Sequence, residues 1–97
     1  MFTSKQRSAL KGLAMNIEPV AQIGKGGVNE NFSESVDKAL SARELIKISV
    51  LQNAEYSAEE YAEEIAEKVK AEVVCIIGRK IVLYRFSTKP NVKHVEF

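Results

Sequence analysis

One cysteine, Cys75, is all that the 97 residues contain, which excludes an intrachain disulfide and a cysteine-rich metal site. It lies in the apolar run Val73-Val74-Cys75-Ile76-Ile77, where a buried and inert thiol is expected. The lone histidine, His94, falls in an aperiodic C-terminal stretch with no partner for catalysis or metal binding. Without a serine, cysteine or histidine constellation, nucleophilic catalysis has no machinery here, so no catalytic residue, metal or cofactor is expected, and no enzyme. Long apolar runs are missing too, which excludes a membrane span. The N-terminus shows a polar, capped helix pattern where a signal peptide requires an apolar run, and the expected location is the cytoplasm.

What is present suits one compact, monomeric domain over residues 1–97, with an ordered core at 3–86 and a flexible tail at 87–97 containing Pro90. Formal net charge is only +1, but its distribution is uneven. Residues 1–28 carry +3 and residues 73–97 carry +4, whereas residues 57–72 carry −4 and residues 29–56 carry −2. A polarised surface is expected, with one basic binding face and one acidic, solvated back.

The chain is organised around Ile23-Gly24-Lys25-Gly26-Gly27-Val28, between a short strand ending at Ile23 and a helix capped by Asn29. Three glycines leave the backbone bare for a ligand chain to approach, and Lys25 adds a mobile cation beside helix amides that favour an anion. A GxxG loop clamps nucleic-acid backbone in KH domains, and the same role is expected here. Other phosphate motifs do not fit. Gly26 stands where a Walker A loop needs serine or threonine, and Asn29 where a dinucleotide fingerprint needs its third glycine.

Thr3-Ser4-Lys5-Gln6 reads as a capping box opening a first helix, with Leu10, Leu13, Ala14 and Ile17 inward and Arg7, Lys11 and Met15 outward. Arg7 and Lys11, four residues apart, repel each other unless an anion lies near. Phe32, Val36, Ala39 and Leu40 form the inner stripe of the second helix, and Leu45 to Leu51 alternate as a strand. Ser57-Ala58-Glu59-Glu60 is a second capping box, opening a helix whose outer face holds Glu59, Glu60, Glu63, Glu64 and Glu67. Those carboxylates read as a solvated face, with Glu64–Lys68 as one useful pair. Glu72 to Ile77 and Lys80 to Phe86 form a hairpin about Gly78-Arg79, and the first of its strands, apolar at successive positions, is expected near the sheet centre. The order α-β-α-β-α-β-β predicts an α+β fold, with helices packed on a mixed four-stranded sheet.

Lys5-Gln6-Arg7, Ile17-Glu18-Pro19-Val20, Gln22 to Val28, Ala42 to Lys47, Ile77 to Lys80 and Leu83-Tyr84-Arg85 together carry a family resemblance. In order and over nearly the whole chain, they resemble a CRM domain (chloroplast RNA splicing and ribosome maturation) in its stand-alone bacterial YhbY form. The resemblance implies a fold similar to the C-terminal domain of translation initiation factor three, and RNA as partner, in precursors of the large ribosomal subunit. On this reading Gly24, Lys25, Gly26 and Gly27 form the RNA-binding loop, with Arg7, Lys11, Arg79 and Arg85 as basic contacts. Two positions depart from the family pattern: Cys75 replaces an expected polar residue, and Lys70-Ala71 replaces a glycine after the third helix. Aromatics are few and absent from the loop, so recognition of backbone shape is expected over base stacking. The alternative is a protein-interaction module that uses the acidic third helix.

Overall fold

The computed structural model describes residues 2–97. Thr3 caps α1 (Ser4–Ala14) with a complete capping box, its hydroxyl accepting from the Gln6 N–H while the Gln6 side chain accepts from the Thr3 N–H. Strand β1 (Ala21–Ile23) leads through the glycine loop to α2 (Glu30–Arg43), whose cap is Asn29. Strand β2 (Leu45–Val50) then precedes α3 (Ala58–Val69), opened by the Ser57–Glu60 capping box. Strands β3 (Glu72–Ile77) and β4 (Lys80–Tyr84) close the chain's regular structure as a hairpin. The α+β architecture and the mixed sheet follow the pattern read from the sequence.

Strand order is β1-β2-β4-β3, with β1 parallel to β2 and β4 antiparallel to both of its neighbours. Strand β3 therefore lies at the edge, not near the centre. Its unbroken apolar run has a different cause: both faces of that edge are covered by helices. Val73 and Ile76 pack on the core under α2 and α3, while Val74 joins Leu10 and Ala14 of α1. A bulge between Val73 and Cys75 shifts the register there.

Two cores result, one on each face of the sheet. Ile46, Ile48, Ile81 and Leu83 point to the larger one, with Val36 and Leu40 from α2 and Tyr61, Ala62 and Ile65 from α3. Leu45, Val82 and Tyr84 point to the smaller one, covered by Leu10 and Ala14. Helix α1 ends at Ala14, before Pro19 could stop it, and Leu13 lies outside this contact and is exposed. Arg7 is half-buried on the sheet side of α1, opposite to its expected orientation.

Residues 87–97, expected as a flexible tail, dock on the domain around one carboxylate. Glu44 ends α2 with φ 67° and has no exposed surface. Its Oε2 accepts from the Ser87 N–H at 2.7 Å and from His94 Nδ1 at 2.6 Å, and its Oε1 accepts from the Val95 N–H at 2.8 Å. The ring of Phe97 meets Phe2 and Tyr84 edge-on, which ties the two chain ends together. The segment lacks periodicity because backbone N–H groups hold it, rather than an apolar stripe. His94 thus has a partner, but for docking rather than chemistry.

Two predictions follow from these helix ends. Lys70 ends α3 in the left-handed region (φ 57°, ψ 48°), at the departure where glycine was expected. A side chain there is strained by about 1 kcal/mol, so Lys70→Gly raises stability by about that amount in urea titration. Burial pushes the Glu44 carboxyl up, but the Ser87 N–H, His94 and the Val95 N–H outweigh it and hold the folded pKa below the ordinary value. A folded carboxyl that holds its proton less tightly than the unfolded one contributes stability above the ordinary carboxylate range, lost as pH falls through the lowered folded value. Glu44→Gln is therefore less stable at neutral pH by about 1–3 kcal/mol, and its deficit against the parent shrinks in acid. Denaturant midpoints taken across pH check both the size and the sign.

Candidate nucleic-acid interface

The glycine loop is a tight turn closed by the Gly27 N–H donating to the Gly24 carbonyl at 3.0 Å. Gly27 has φ +64°, which an L side chain adopts only with strain. Lys25 and Gly26 form the exposed tip. A Cβ at Gly24 would touch Leu51 and Asn53 at 3.5 and 3.6 Å, so that glycine rests on the neighbouring loop while the tip stays open. The Asn29 side chain accepts from the Phe32 N–H at 2.8 Å and Glu30 stands in the first turn of α2. Helix amides are thus partly satisfied, and the tip backbone with Lys25 is the anion-attracting part.

Pairing carries two other segments to the same end of the sheet. The Leu51 N–H donates to the Ile23 carbonyl at 2.9 Å, and the Val50 N–H donates to the Arg79 carbonyl at 2.7 Å. The exit of β2 therefore lies between the glycine loop and the Gly78–Arg79 turn. Arg79 is exposed, with one guanidinium N–H on the Leu51 carbonyl at 3.1 Å. This places Arg79 beside the loop, as the basic-contact reading requires.

From that end a row of lysines runs over the sheet face that α1 leaves uncovered. Register pairs Gln22 with Ser49 and Ser49 with Lys80, and Lys47 with Val82. Alternation puts Gln22, Ser49, Lys80 and Lys47 on the α1 side of the sheet. Lys80 Nζ donates to Ser49 Oγ at 3.4 Å. Lys11 is exposed on α1 next to this row. Burial raises the Cys75 thiol, whereas the charges of Lys11, Arg7 and Lys47 act to lower it, so all three cations converge on this part of the sheet. The net direction is upward, which leaves the thiol protonated and a poor nucleophile.

Lys47 and Lys80 are further cations on this face, beyond those singled out by the sequence pattern. Their signal was strand parity: Lys47 and Ser49 interrupt an apolar strand at alternate positions, and Lys80 begins the next one. Which face they occupy, and that α1 is too short to cover it, depends on strand order.

Arg85 and Arg7 are placed otherwise than the basic-contact expectation requires. Arg85 follows the far end of β4 and turns its guanidinium into the larger core's rim. It donates to Asp37 Oδ1 at 2.7 Å, to the Asp37 carbonyl at 2.9 Å, to Ser41 Oγ at 3.0 Å and to the Val69 carbonyl at 2.7 Å. Both terminal nitrogens of the fork are spent joining α2 to the end of α3, so Arg85 does not join the lysine row. Arg7 caps the carbonyls of Val73 and Val74 at the bulge, with its guanidinium 5.8 Å from the Phe2 ring centre. Its charge faces the row while its N–H groups protect an edge strand.

On the opposite side of the molecule, α3 turns its glutamates to solvent, with only Glu64 near a cation, Lys68, at 4.0 Å. Among the described residues no group of three or more histidines, cysteines or carboxylates could hold a metal ion. Among the described residues no helix is long and apolar enough to cross a membrane.

The profile of the CRS1 / YhbY (CRM) domain matches residues 2–85. The chain belongs to this family. It is 45% identical over 87 residues to "Probable RNA-binding protein YqeI" of Bacillus subtilis, covering 90% of this chain and 91% of that protein. A Haemophilus influenzae relative named "RNA-binding protein" is 33% identical over 92 residues, covering 95% of this chain and 93% of the relative. Among solved structures, the hypothetical protein SAV1595 of Staphylococcus aureus superposes with a TM-score of 0.78 at 47% identity, covering 94% of this chain and 95% of that one. The likeness to a CRM domain carried by the sequence motifs is thus a membership.

The arginines and lysines separate in a measurable way. Arg85→Ala removes four hydrogen bonds, and is expected to cost about 2–4 kcal/mol in denaturant titration, with Arg85→Lys recovering little because lysine lacks the fork. Lys25→Ala and Lys47→Ala stay within about 0.5 kcal/mol of the parent.

Proposed function

We propose that this CRM-family protein binds ribosomal RNA in precursors of the large ribosomal subunit and assists their assembly, as a cytoplasmic monomer without enzymatic activity. The observation that carries the reading is the open Lys25–Gly26 tip, flanked by Arg79 and followed by Lys80 and Lys47 on the α1 side of the sheet and by Lys11 on α1. An exposed backbone and a row of point charges suit a sugar-phosphate strand, whose spacing they follow without reading base edges. The names of the Bacillus and Haemophilus relatives support RNA as the partner. Large-subunit precursors as the target rest on the family to which the chain belongs. Within the proposed site, Gly24, Lys25, Gly26 and Gly27 grip the backbone, while Arg79, Lys11, Lys47 and Lys80 neutralise phosphates. Arg7 contributes its field rather than its N–H groups, and Arg85 drops out of the site.

A second reading, a protein-interaction module, is favoured by one feature. Tyr56 is 57% exposed beside Glu60, Glu63, Glu64 and Glu67 on α3, a surface for a basic protein segment. The two readings use opposite faces. Association with ribosomal particles that survives complete RNA digestion supports the acidic face.

The RNA reading is tested by titrating a ribosomal RNA fragment over a salt series. Each neutralised phosphate releases counterions, so Lys25→Ala lowers the magnitude of the log–log salt slope by about one unit. A Cβ at Gly26 meets only Asn29 Nδ2, at 3.4 Å, so Gly26→Asp is tolerated by the fold while placing a negative charge at the tip. Gly26→Asp is expected to weaken binding more than Lys25→Ala does. Unchanged affinity in both variants across the series overturns the clamp.

A further inference from the structure

The docked C-terminal segment carries an aromatic surface that neither the fold nor the glycine loop uses. Phe86 is 59% exposed, although it directly follows the buried end of β4. Its ring stacks on His94 at 4.4 Å between centroids, with the planes only 10° apart. The His94 ring is anchored, and the Phe86 ring rests on it. His94 is fixed by Glu44 at 2.6 Å, and Glu44 is fixed in turn by the N–H groups of Ser87 and Val95. The result is a flat, preorganised pair whose outer face meets water.

Exposing an aromatic ring this far forgoes most of the stabilisation that its burial would supply. Phe2, Tyr84 and Phe97, close by in the fold, instead pack edge-on against one another. Charged side chains of both signs stand beside the Phe86–His94 pair. Lys89 and Lys93 are exposed on the same segment, and Arg43 lines one groove with Lys93 and His94. Two carboxylates, Glu18 and Glu96, also line that groove, while Glu44 is closed off by its N–H donors. A flat aromatic face with Arg43 and the lysines of its own segment within reach fits an unpaired nucleobase on a phosphate backbone, because stacking accepts any base while the cations hold its phosphates.

We propose that the Phe86–His94 pair is a stacking platform for an unpaired base of the bound RNA, with Lys89, Lys93 and Arg43 as its phosphate contacts. The platform is remote from the glycine tip. It lies beyond the C-terminal end of β4, whereas the Gly78–Arg79 turn at the opposite end of that strand neighbours the loop. It therefore selects for RNA in which a duplex or structured region adjoins a loop, bulge or single-stranded end. The proposal rests on the RNA-binding reading, and it replaces the expectation of recognition by backbone shape alone.

The chain has no tryptophan, so Phe86→Trp introduces a single reporter at the platform. Its fluorescence is followed while the full-length protein is titrated with an RNA hairpin bearing an unpaired purine loop, with a blunt RNA duplex, and with heparin, a polyanion without bases. Quenching by the hairpin, but by neither control, is expected. In parallel, Phe86→Ala is expected to weaken hairpin binding about five- to fiftyfold, to leave duplex binding within about twofold, and Phe86→Trp to restore the hairpin preference. Its melting temperature stays close to that of the parent, since the ring is mostly exposed. Equal quenching by heparin, or an unchanged hairpin preference in Phe86→Ala, overturns the platform while leaving the loop reading intact. If the parent binds neither RNA, the RNA reading falls as well. If Phe86→Ala binds RNA normally but no longer associates with nuclease-treated ribosomal proteins, the patch is a protein contact and the proposal is wrong.

Discussion

The antiparallel pairing of β2 with β4, Leu45–Ser49 against Lys80–Tyr84, is the constraint on which the other features depend. Strand β4 slots between β2 and β3, although β3 precedes it in the chain. This choice turns Ile46, Ile48, Ile81 and Leu83 to one side and Leu45, Val82 and Tyr84 to the other, so each face acquires its own core. It also brings the β3–β4 turn beside the exit of β2, next to the glycine loop. Because pairing has a period of two, a slip by one residue would bury Lys47 and expose Ile46 and Ile48, which fixes the register strongly. The basic face is a by-product of this arrangement: the remaining strand positions are polar wherever α1 does not reach.

Three of the arginines are tied to the main chain of the fold. Arg7, Arg79 and Arg85 all donate to main-chain carbonyls, at the β-bulge, at the exit of β2 and at the end of α3. A guanidinium suits this task, since its fork satisfies several oxygens at once and its charge is never lost. Lysines carry the row that remains available to a polyanion, and their flexible stems let the charges follow a ligand of irregular shape.

Local chemistry explains why some of this was legible in the chain. Both capping boxes, the Asn29 cap, the two-residue hairpin turn and the acidic outer face of α3 are settled within a few residues, and all stand where the pattern placed them. The position of β3 was not legible, because an apolar run reads alike whether helices cover an edge strand or neighbours flank a central one. The hydrogen bonds of Arg85 and Arg7 were not legible for a similar reason: their partners lie 48 and 66 residues away. The tail was the hardest case. Its anchor is one glutamate in a strained backbone conformation at the end of α2, and nothing in residues 87–97 announces a partner so distant.

The polarity of the molecule resolves the apparent conflict between a net charge of +1 and a nucleic-acid surface. The molecule measures 35 × 27 × 22 Å, and α3 and the lysine row lie on opposite faces of the sheet. At physiological ionic strength the Debye length is about 8 Å, shorter than the smallest extent of the molecule, so the field of the glutamates is strongly screened at the row. A phosphate there is attracted mainly by the cations beside it. At about 0.01 M salt the length grows to about 30 Å, and the two faces act together as a dipole. The acidic helix then contributes orientation, since a polyanion approaching from its side is repelled and one approaching the sheet is drawn in. Net charge is the wrong quantity for such a protein: what governs association is the distance between its two signs relative to the screening length.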